Sequence, residues 1–368
     1  MKQKFESTST KSLQSGAPAG RSTSHCCLGS IMAGRSSRSG GNSNTRIETL
    51  VESKLAEGLQ YEALQLYRGV VARKSARGDD HAALAIAEQG IRVLLGKGYA
   101  DSATELGNVL VGVLSDHELP PTEERVGVIK RVNTMYEDAK RAAVLAEEEK
   151  RATVVSEDGG DGQEEGVAAG EKEAARGLYS LGVLQGRFLK LAIAWTAARG
   201  QRLGGDPGLC TLLGRCLWNE GDLDRGMRYF VLGERPQELC DLILQDVPEG
   251  KARELAVAKG VLQFASKASL RDANALLEAY KKQTGSKIST NGVLGFCALL
   301  LKTCEYDAGP VFQRLLDVYR SDLAVDESLF GVSSSFRGPE LPYLSTAVAG
   351  NLSWQHHRLP LQHYQHQQ

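Results

Sequence analysis

RIETLVESKLAEGLQYEALQLYRGVVARKSARGDDHAALAIAEQGIRVLLGKGYADSATELGNVLVGVL, residues 46–114, decides the fold. Ile47, Leu50, Val51 and Leu55 recur at steps of three and four, and Leu64, Tyr67, Val70 and Val71 repeat the pattern. A third set is Leu84, Ala87, Ile91, Leu94 and Leu95, and a fourth is Leu106, Val109, Leu110, Val113 and Leu114. Each spacing puts its apolar residues on one face of an α-helix, so each helix has one stripe to bury. The breaks are short, as at Arg77-Gly78-Asp79-Asp80 and Gly96-Lys97-Gly98. Breaks of that length make neighbouring helices antiparallel.

The stretch also repeats itself. Gly58-Leu59-Gln60-Tyr61-Glu62-Ala63 leads to Leu66, and Tyr99-Ala100-Asp101-Ser102-Ala103 leads to Leu106, so Ala63 falls on Ala103 and Leu66 on Leu106. Gly221-Asp222-Leu223-Asp224-Arg225-Gly226 before Tyr229-Phe230 is a third echo. A helix pair repeating at about 34 to 47 residues marks an α-solenoid, whose pairs must stack because none can bury its stripe alone.

The rest of the chain fits this reading. Helical stripes resume through Val126, Ile129, Val132 and Met135, and again from Leu178 through Phe188, Leu189, Ala192, Ile193 and Trp195. Asp206 and Pro207 form an N-cap and first helical position. Leu209 to Leu217, Met227 to Val231, Leu239 to Leu244, Leu255 to Phe264, Leu270 to Tyr280, Val293 to Thr303 and Pro310 to Tyr319 follow. The expected architecture is all-α: a right-handed, tetratricopeptide-like α-solenoid of six to seven hairpins and twelve to fourteen helices, with disordered termini. Residues 45–332 form the solenoid, in halves 45–146 and 174–332. Capping boxes are expected at Thr45-Arg46-Ile47-Glu48 and Ser102-Ala103-Thr104-Glu105.

Three segments depart from the pattern. In residues 1–44 six basic residues (Lys2, Lys4, Lys11, Arg21, Arg35, Arg38) face Glu6 alone. This Ser/Gly-rich stretch reads as a disordered tail, with a transit peptide as the alternative, and Met32 is a second candidate start. In 147–173 ten acidic residues face Lys150, Arg151 and Lys172 around Gly159-Gly160-Asp161-Gly162, which reads as an acidic disordered insert. Residues 333–368 read as a Gln/His-rich disordered tail, where His356, His357, His363 and His366 have no fold to hold them as a metal site.

Composition excludes several classes. Net charge is −1, from 44 basic and 45 acidic residues, so no global field draws nucleic acid or an anionic membrane. Val293 to Leu301 is the longest apolar run, far short of the ~18 residues a span needs. Seven irregularly placed cysteines, an odd number without a secretory leader, point to reduced thiols in a cytosolic protein. Cys210, Cys216, Cys240, Cys297 and Cys304 read as small buried hydrophobes. No catalytic constellation, cofactor site or metal site is readable. Gly96-Lys97-Gly98 lacks both the Ser/Thr and the strand of a phosphate loop, and the acidic insert lacks the calcium-loop spacing. His81 and His117 stand at a helix start and a helix end, with cap or surface roles.

Tyr61-Glu62-Ala63-Leu64-Gln65-Leu66-Tyr67-Arg68 resembles the "YYEAHQ-x-YR" signature of the Golgi-to-ER traffic protein 4 family, adaptors of the tail-anchored-protein pathway. Gly90 with Leu94-Leu95 follows in family order, then Ser102-Ala103-Thr104-Glu105-Leu106 for its "SAADL". Arg187-Phe188-Leu189-Lys190 with Ile193 and Trp195, and Gly205-Asp206-Pro207-Gly208-Leu209, come next. Leu217-Trp218-Asn219-Glu220 with Arg228-Tyr229-Phe230, Val261-Leu262-Gln263-Phe264 and Leu329-Phe330-Gly331-Val332 complete the series, which covers about 46–332. The acidic insert replaces a short connection of the family, and at the C-terminus Pro, His and Gln replace its Gly/Leu-rich end. Only Ser321 to Ser328 stands where the family has a further helix.

The resemblance implies a cytosolic, non-catalytic scaffold in targeting tail-anchored proteins to the ER. Its N-terminal hairpins would dock the targeting ATPase, and its C-terminal half a ubiquitin-like co-chaperone. By position, Tyr61, Arg68 and Arg73 would face the ATPase, with Glu105 beside them. A generic tetratricopeptide-like adaptor for chaperone tails, which would need a basic concave groove, and an all-helical enzyme are the alternatives.

Overall fold

The computed structural model describes residues 42–157, 164–285, 292–306, 308–326 and 329. The chain divides into two units, Met1–Arg46 and Ile47–Gln368. Of the first, only the opening turn of α1 is among the described residues. The second unit holds the rest of the fold. The basic tail over 1–41, the Phe-Gly-Val of 330–332 and the histidines of the C-terminal tail lie outside the described residues.

The described residues form fourteen helices and no strand. They are α1 Asn42–Ala56, α2 Gln60–Ser75, α3 Asp80–Gly96, α4 Ala100–Asp116, α5 Glu123–Glu157, α6 Glu164–Arg199, α7 Pro207–Asn219 and α8 Leu223–Leu232. Then come α9 Pro236–Asp246, α10 Lys251–Ser266, α11 Leu270–Thr284, α12 Val293–Glu305, α13 Gly309–Val318 and the single turn α14 Arg320–Leu323. Through most of the series a helix packs on the next one and on the next but one, as α2, α3 and α4 do, and again α10, α11 and α12. This is a stack of helical hairpins.

The repeat has a backbone cause. Gly58, Gly78, Gly98 and Glu118 stand twenty residues apart, and each has a positive φ, between 54° and 82°. At each, the next residue's N–H donates to a carbonyl five positions back: Leu59 to Lys54 (2.9 Å), Asp79 to Lys74 (3.1 Å), Tyr99 to Leu94 (2.9 Å) and Leu119 to Leu114 (3.0 Å). This is the Schellman ending, in which a left-handed residue satisfies the free carbonyls of the last turn. Twenty residues thus make one helix plus turn, and forty make the hairpin repeat.

Neither expected capping box stands at a helix start. Thr45 lies inside α1, which starts at Asn42, and Ser102 lies inside α4, whose cap is Tyr99. Asp206 caps as expected, accepting from the Leu209 N–H at 2.9 Å with Pro207 in the first turn.

The stripes of α2, α3 and α4 face inward, with Ala63, Leu64, Tyr67, Ile91, Leu94, Leu106 and Leu110 almost fully buried. Leu50 does not join them. It is 47% exposed, while Val51 and Leu55 do α1's packing. Two close approaches fix the stack: a Cβ on Gly90 would lie 2.5 Å from Leu106 Cδ2 and 2.9 Å from Tyr67 Cγ, and one on Gly107 3.0 Å from Phe188 Cδ2. The core forms two clusters divided along α7. Leu217 belongs to the first, Trp218 to the second, and Trp218 meets Phe230 edge-on at 6.2 Å.

The acidic insert expected over 147–173 is corrected. α5 runs unbroken to Glu157 and α6 begins at Glu164, so helix occupies all of that stretch except 158–163, which lies outside the described residues. Glu, Ala, Lys and Arg are strong helix formers, so a run of carboxylates does not by itself make a loop.

Candidate partner-binding ridge

Tyr61 is the second residue of α2 and stands 66% exposed. Arg68 follows seven residues later. Seven residues are nearly two turns, so the two side chains share one line along the helix, about 10 Å apart. α4 lies beside α2 and brings Glu105 to Arg68, with Nη1 3.5 Å from Oε2 and both side chains substantially exposed. Ahead of Tyr61, Lys54 of α1 reaches Glu57 (3.1 Å) and Glu62 (3.2 Å). Hydrogen bonds to these two carboxylates hold the Lys54 ammonium above its usual range. The result is an open ridge of alternating charge with one exposed aromatic ring. Exposed pairs of this kind contribute roughly 0–1 kcal/mol to folding.

Arg73 is not on that line. Five residues beyond Arg68 is about 140° round the helix. Its guanidinium folds back over Gly69, where a Cβ would lie 3.5 Å from Nη1. The structure therefore brings together Tyr61, Arg68 and Glu105 and sets Arg73 on another face.

Two features were not visible in the sequence. A groove of about 870 Å³ opens beside the ridge, reached by Gln60 and walled by Tyr99, Met135, Ala139, Ala143 and Leu181. Its far wall is α5, whose end falls within the stretch expected as the acidic insert. The second feature is a tie at the other end of these helices. His117, the C-cap of α4, places Nδ1 2.6 Å from Asp80 Oδ1 and Nε2 3.0 Å from Ser75 Oγ. The order Ser–His–Asp is that of a charge relay, but Ser75 is the last residue of α2, at the electronegative carbonyl end of that helix, which disfavours an oxyanion. The three side chains bind α2, α3 and α4 to one another. His81 stands 86% exposed, 3.7 Å from Glu124.

Burial pushes the thiols of Cys210, Cys216 and Cys297 up to about 12 and those of Cys240 and Cys304 to about 11. All five are free and buried, as expected for small hydrophobes. Among the described residues no group of three His, Cys, Asp or Glu is placed to hold a metal ion, and no helix is long and apolar enough to cross a membrane.

Stacked α-hairpins with an open polar ridge define an all-helical hairpin-repeat protein. The family model described as Golgi to ER traffic protein 4 matches residues 78–332, more than half of the chain. The chain belongs to the Golgi to ER traffic protein 4 family. It is 28% identical over 284 residues to Protein GET4 of Arabidopsis thaliana, covering 75% of this chain and 83% of that one. It is 21% identical over 284 residues to the Golgi to ER traffic protein 4 homolog of Dictyostelium discoideum, covering 76% and 78%. The crystal structure of C. therm. Get4 superposes with a TM-score of 0.59 at 21% identity, covering 84% of this chain and 95% of that one, and shares its fold.

Proposed function

We propose that this protein is a non-catalytic cytosolic adaptor in the delivery of tail-anchored proteins to the ER. Its N-terminal hairpins dock the targeting ATPase, and its C-terminal half holds a ubiquitin-like co-chaperone. Family membership supports the pathway. The one observation that carries the N-terminal site is the exposed Tyr61–Arg68–Glu105 ridge, where a ring and two opposite charges stand on neighbouring helices, free to exchange partners. An interface of that kind steers encounter and fixes register more than it adds affinity, and it weakens as salt rises. Arg73 joins it only if the ATPase reaches round α2.

Capture of the purified ATPase by the immobilised chain tests this. Wild type should retain it, Tyr61→Ala and Arg68→Glu should lose most of the signal, and Arg73→Glu reports whether the contact extends to the second face. Undiminished capture by Tyr61→Ala and Arg68→Glu would remove the ridge. No capture by wild type would remove the ATPase as partner.

A further inference from the structure

α4 and α6 run parallel and in register. A Cβ on Gly107 of α4 would lie 3.0 Å from Phe188 Cδ2 of α6, and Glu118, just past the end of α4, accepts from Arg199 Nη2 at 3.0 Å. Both pairs are 81 residues apart in the chain. Arg187 therefore comes level with Leu106, next to Glu105, and Lys190 with Val109, next to Asn108. Glu105 and Asn108 stand exposed on α4, and Arg187, Lys190 and Leu191 stand exposed on one face of α6. Packed neighbouring helices lie about 8–10 Å apart. Arg68 of α2, Glu105 of α4 and Arg187 of α6 thus make a row across three helices. Glu105 already faces Arg68. Among the described residues Arg187 and Lys190 have no ion-pair or hydrogen-bond partner.

α8 adds a third cation. It starts beside Tyr179 of α6, which shares an open hollow with Asp222 to Arg225. By Phe230 it has drawn level with Gly186, since Gly214 of α7 meets Phe230 while the adjacent Leu213 meets Gly186. Arg228 lies between those two levels, exposed and, among the described residues, also without a partner. The acids nearby are engaged: Asp222 faces Arg225, and Asp224 lies 3.6 Å from Lys259. We propose that the ridge continues onto α6 and α8, and that the protein docked at Tyr61, Arg68 and Glu105 lays an acidic segment across Arg187, Lys190 and Arg228. This rests on the reading of the ridge as the ATPase's docking site. A guanidinium receives a carboxylate through two parallel N–H donors, which fixes orientation as well as charge. Asp101 and Glu105 border the strip on one side and Asp222 and Asp224 on another. Those carboxylates repel a nucleic-acid backbone or an anionic bilayer, whereas a protein segment can match both signs and so take one register.

Affinity of the full chain for the purified ATPase, measured at low and at raised salt, tests the proposal. Arg187→Glu/Lys190→Glu should bind about tenfold or more weakly than wild type, and Arg228→Glu more weakly too. Arg187→Gln/Lys190→Gln should flatten the loss of affinity with salt. Lys251→Glu/Lys282→Glu makes the same change in net charge at exposed positions of α10 and α11 and should bind as wild type does. All these side chains are exposed, so the thermal unfolding of each variant should match that of wild type. Undiminished binding by Arg187→Glu/Lys190→Glu, in an assay where Arg68→Glu loses the ATPase, would overturn the strip and leave the ridge standing. An equal loss in Lys251→Glu/Lys282→Glu would overturn it as well, by reducing the effect to net charge. Loss in the α6 variant with Arg68→Glu unaffected would overturn the continuity of strip and ridge. Failure of wild type to bind the ATPase would remove the docking reading itself, and the strip with it.

Discussion

The side-chain amide of Gln185 in α6 donates to Asn133 Oδ1 in α5 over 2.7 Å, inside the core, where the two residues are 1% and 5% exposed. It also reaches Glu137 Oε1 at 2.5 Å, and the Cys216 thiol of α7 lies 3.6 Å from its carbonyl oxygen. An amide buried among Leu and Phe is tolerated only when paired, and pairing fixes the register of α5 against α6. Gln185→Ala would strand the Asn133 carbonyl and is expected to cost about 2–3 kcal/mol in urea unfolding, with an unchanged m-value. Asn133→Ala should cost a similar amount. The double variant should fall well short of the sum, since the second change removes a group already orphaned.

Gly90 and Gly112 are both mid-helix glycines and should respond in opposite directions. A methyl at Gly90 would meet Leu106 and Tyr67 within 3 Å, whereas one at Gly112 meets nothing within 4 Å. Gly90→Ala should therefore destabilise by about 1–3 kcal/mol through overpacking. Gly112→Ala should stabilise by up to about 1 kcal/mol, because Gly is the poorer helix former. Thermal unfolding of the two variants beside wild type checks the sign of each.

The fold was legible because periodicity survives without tertiary information. The inward faces of α2 to α4 are those their spacing marks. Leu50 failed because the edge of α1's stripe stays open among the described residues. Ser102 failed because the Schellman turn at Gly98 fixes the helix boundary from the carbonyl side, which a search for N-caps does not see, and Thr45 failed because α1 already starts at Asn42. The Arg68–Glu105 and Ser75–His117 pairings were out of reach, since hairpin stacking joins residues far apart in the chain. Arg73, in contrast, could have been set apart by counting 100° per residue from Arg68.

Ridge substitutions should leave the fold intact. The Arg68–Glu105 pair is long and exposed on both sides, so Arg68→Glu should change unfolding free energy by less than about 1 kcal/mol. Loss of ATPase capture by this variant would then be a loss of contact rather than of structure. In Arg68→Glu/Glu105→Arg the internal pair is restored with its direction reversed. Folding should match wild type while capture stays impaired, because the partner meets each charge in the wrong place. Recovery of capture by the swapped chain would mean that the pair acts only within this protein.

Lys267, at the C-cap of α10, gives the fold a pH dependence of its own. Burial lowers its ammonium to about 8, against the opposing pull of the Glu234 carboxylate. Between pH 8 and about 10.5 the unfolded chain therefore binds more protons at this site than the folded one, and stability contributed by Lys267 rises with pH there. Below pH 8 the full penalty stands, on the order of 3 kcal/mol from the size of the shift. Lys267→Met, which keeps an unbranched side chain one atom shorter and drops the charge, should stabilise the protein by up to that amount at pH 7. The advantage over wild type should shrink steadily above pH 8 and be nearly gone at pH 10.5. Comparing the two chains at each pH removes the titrations of buried Cys and Tyr, which both share and which act in the opposite direction above pH 9. An advantage that stays constant from pH 7 to 10 would show that Met gains by packing alone and that the Lys267 ammonium carries no desolvation penalty.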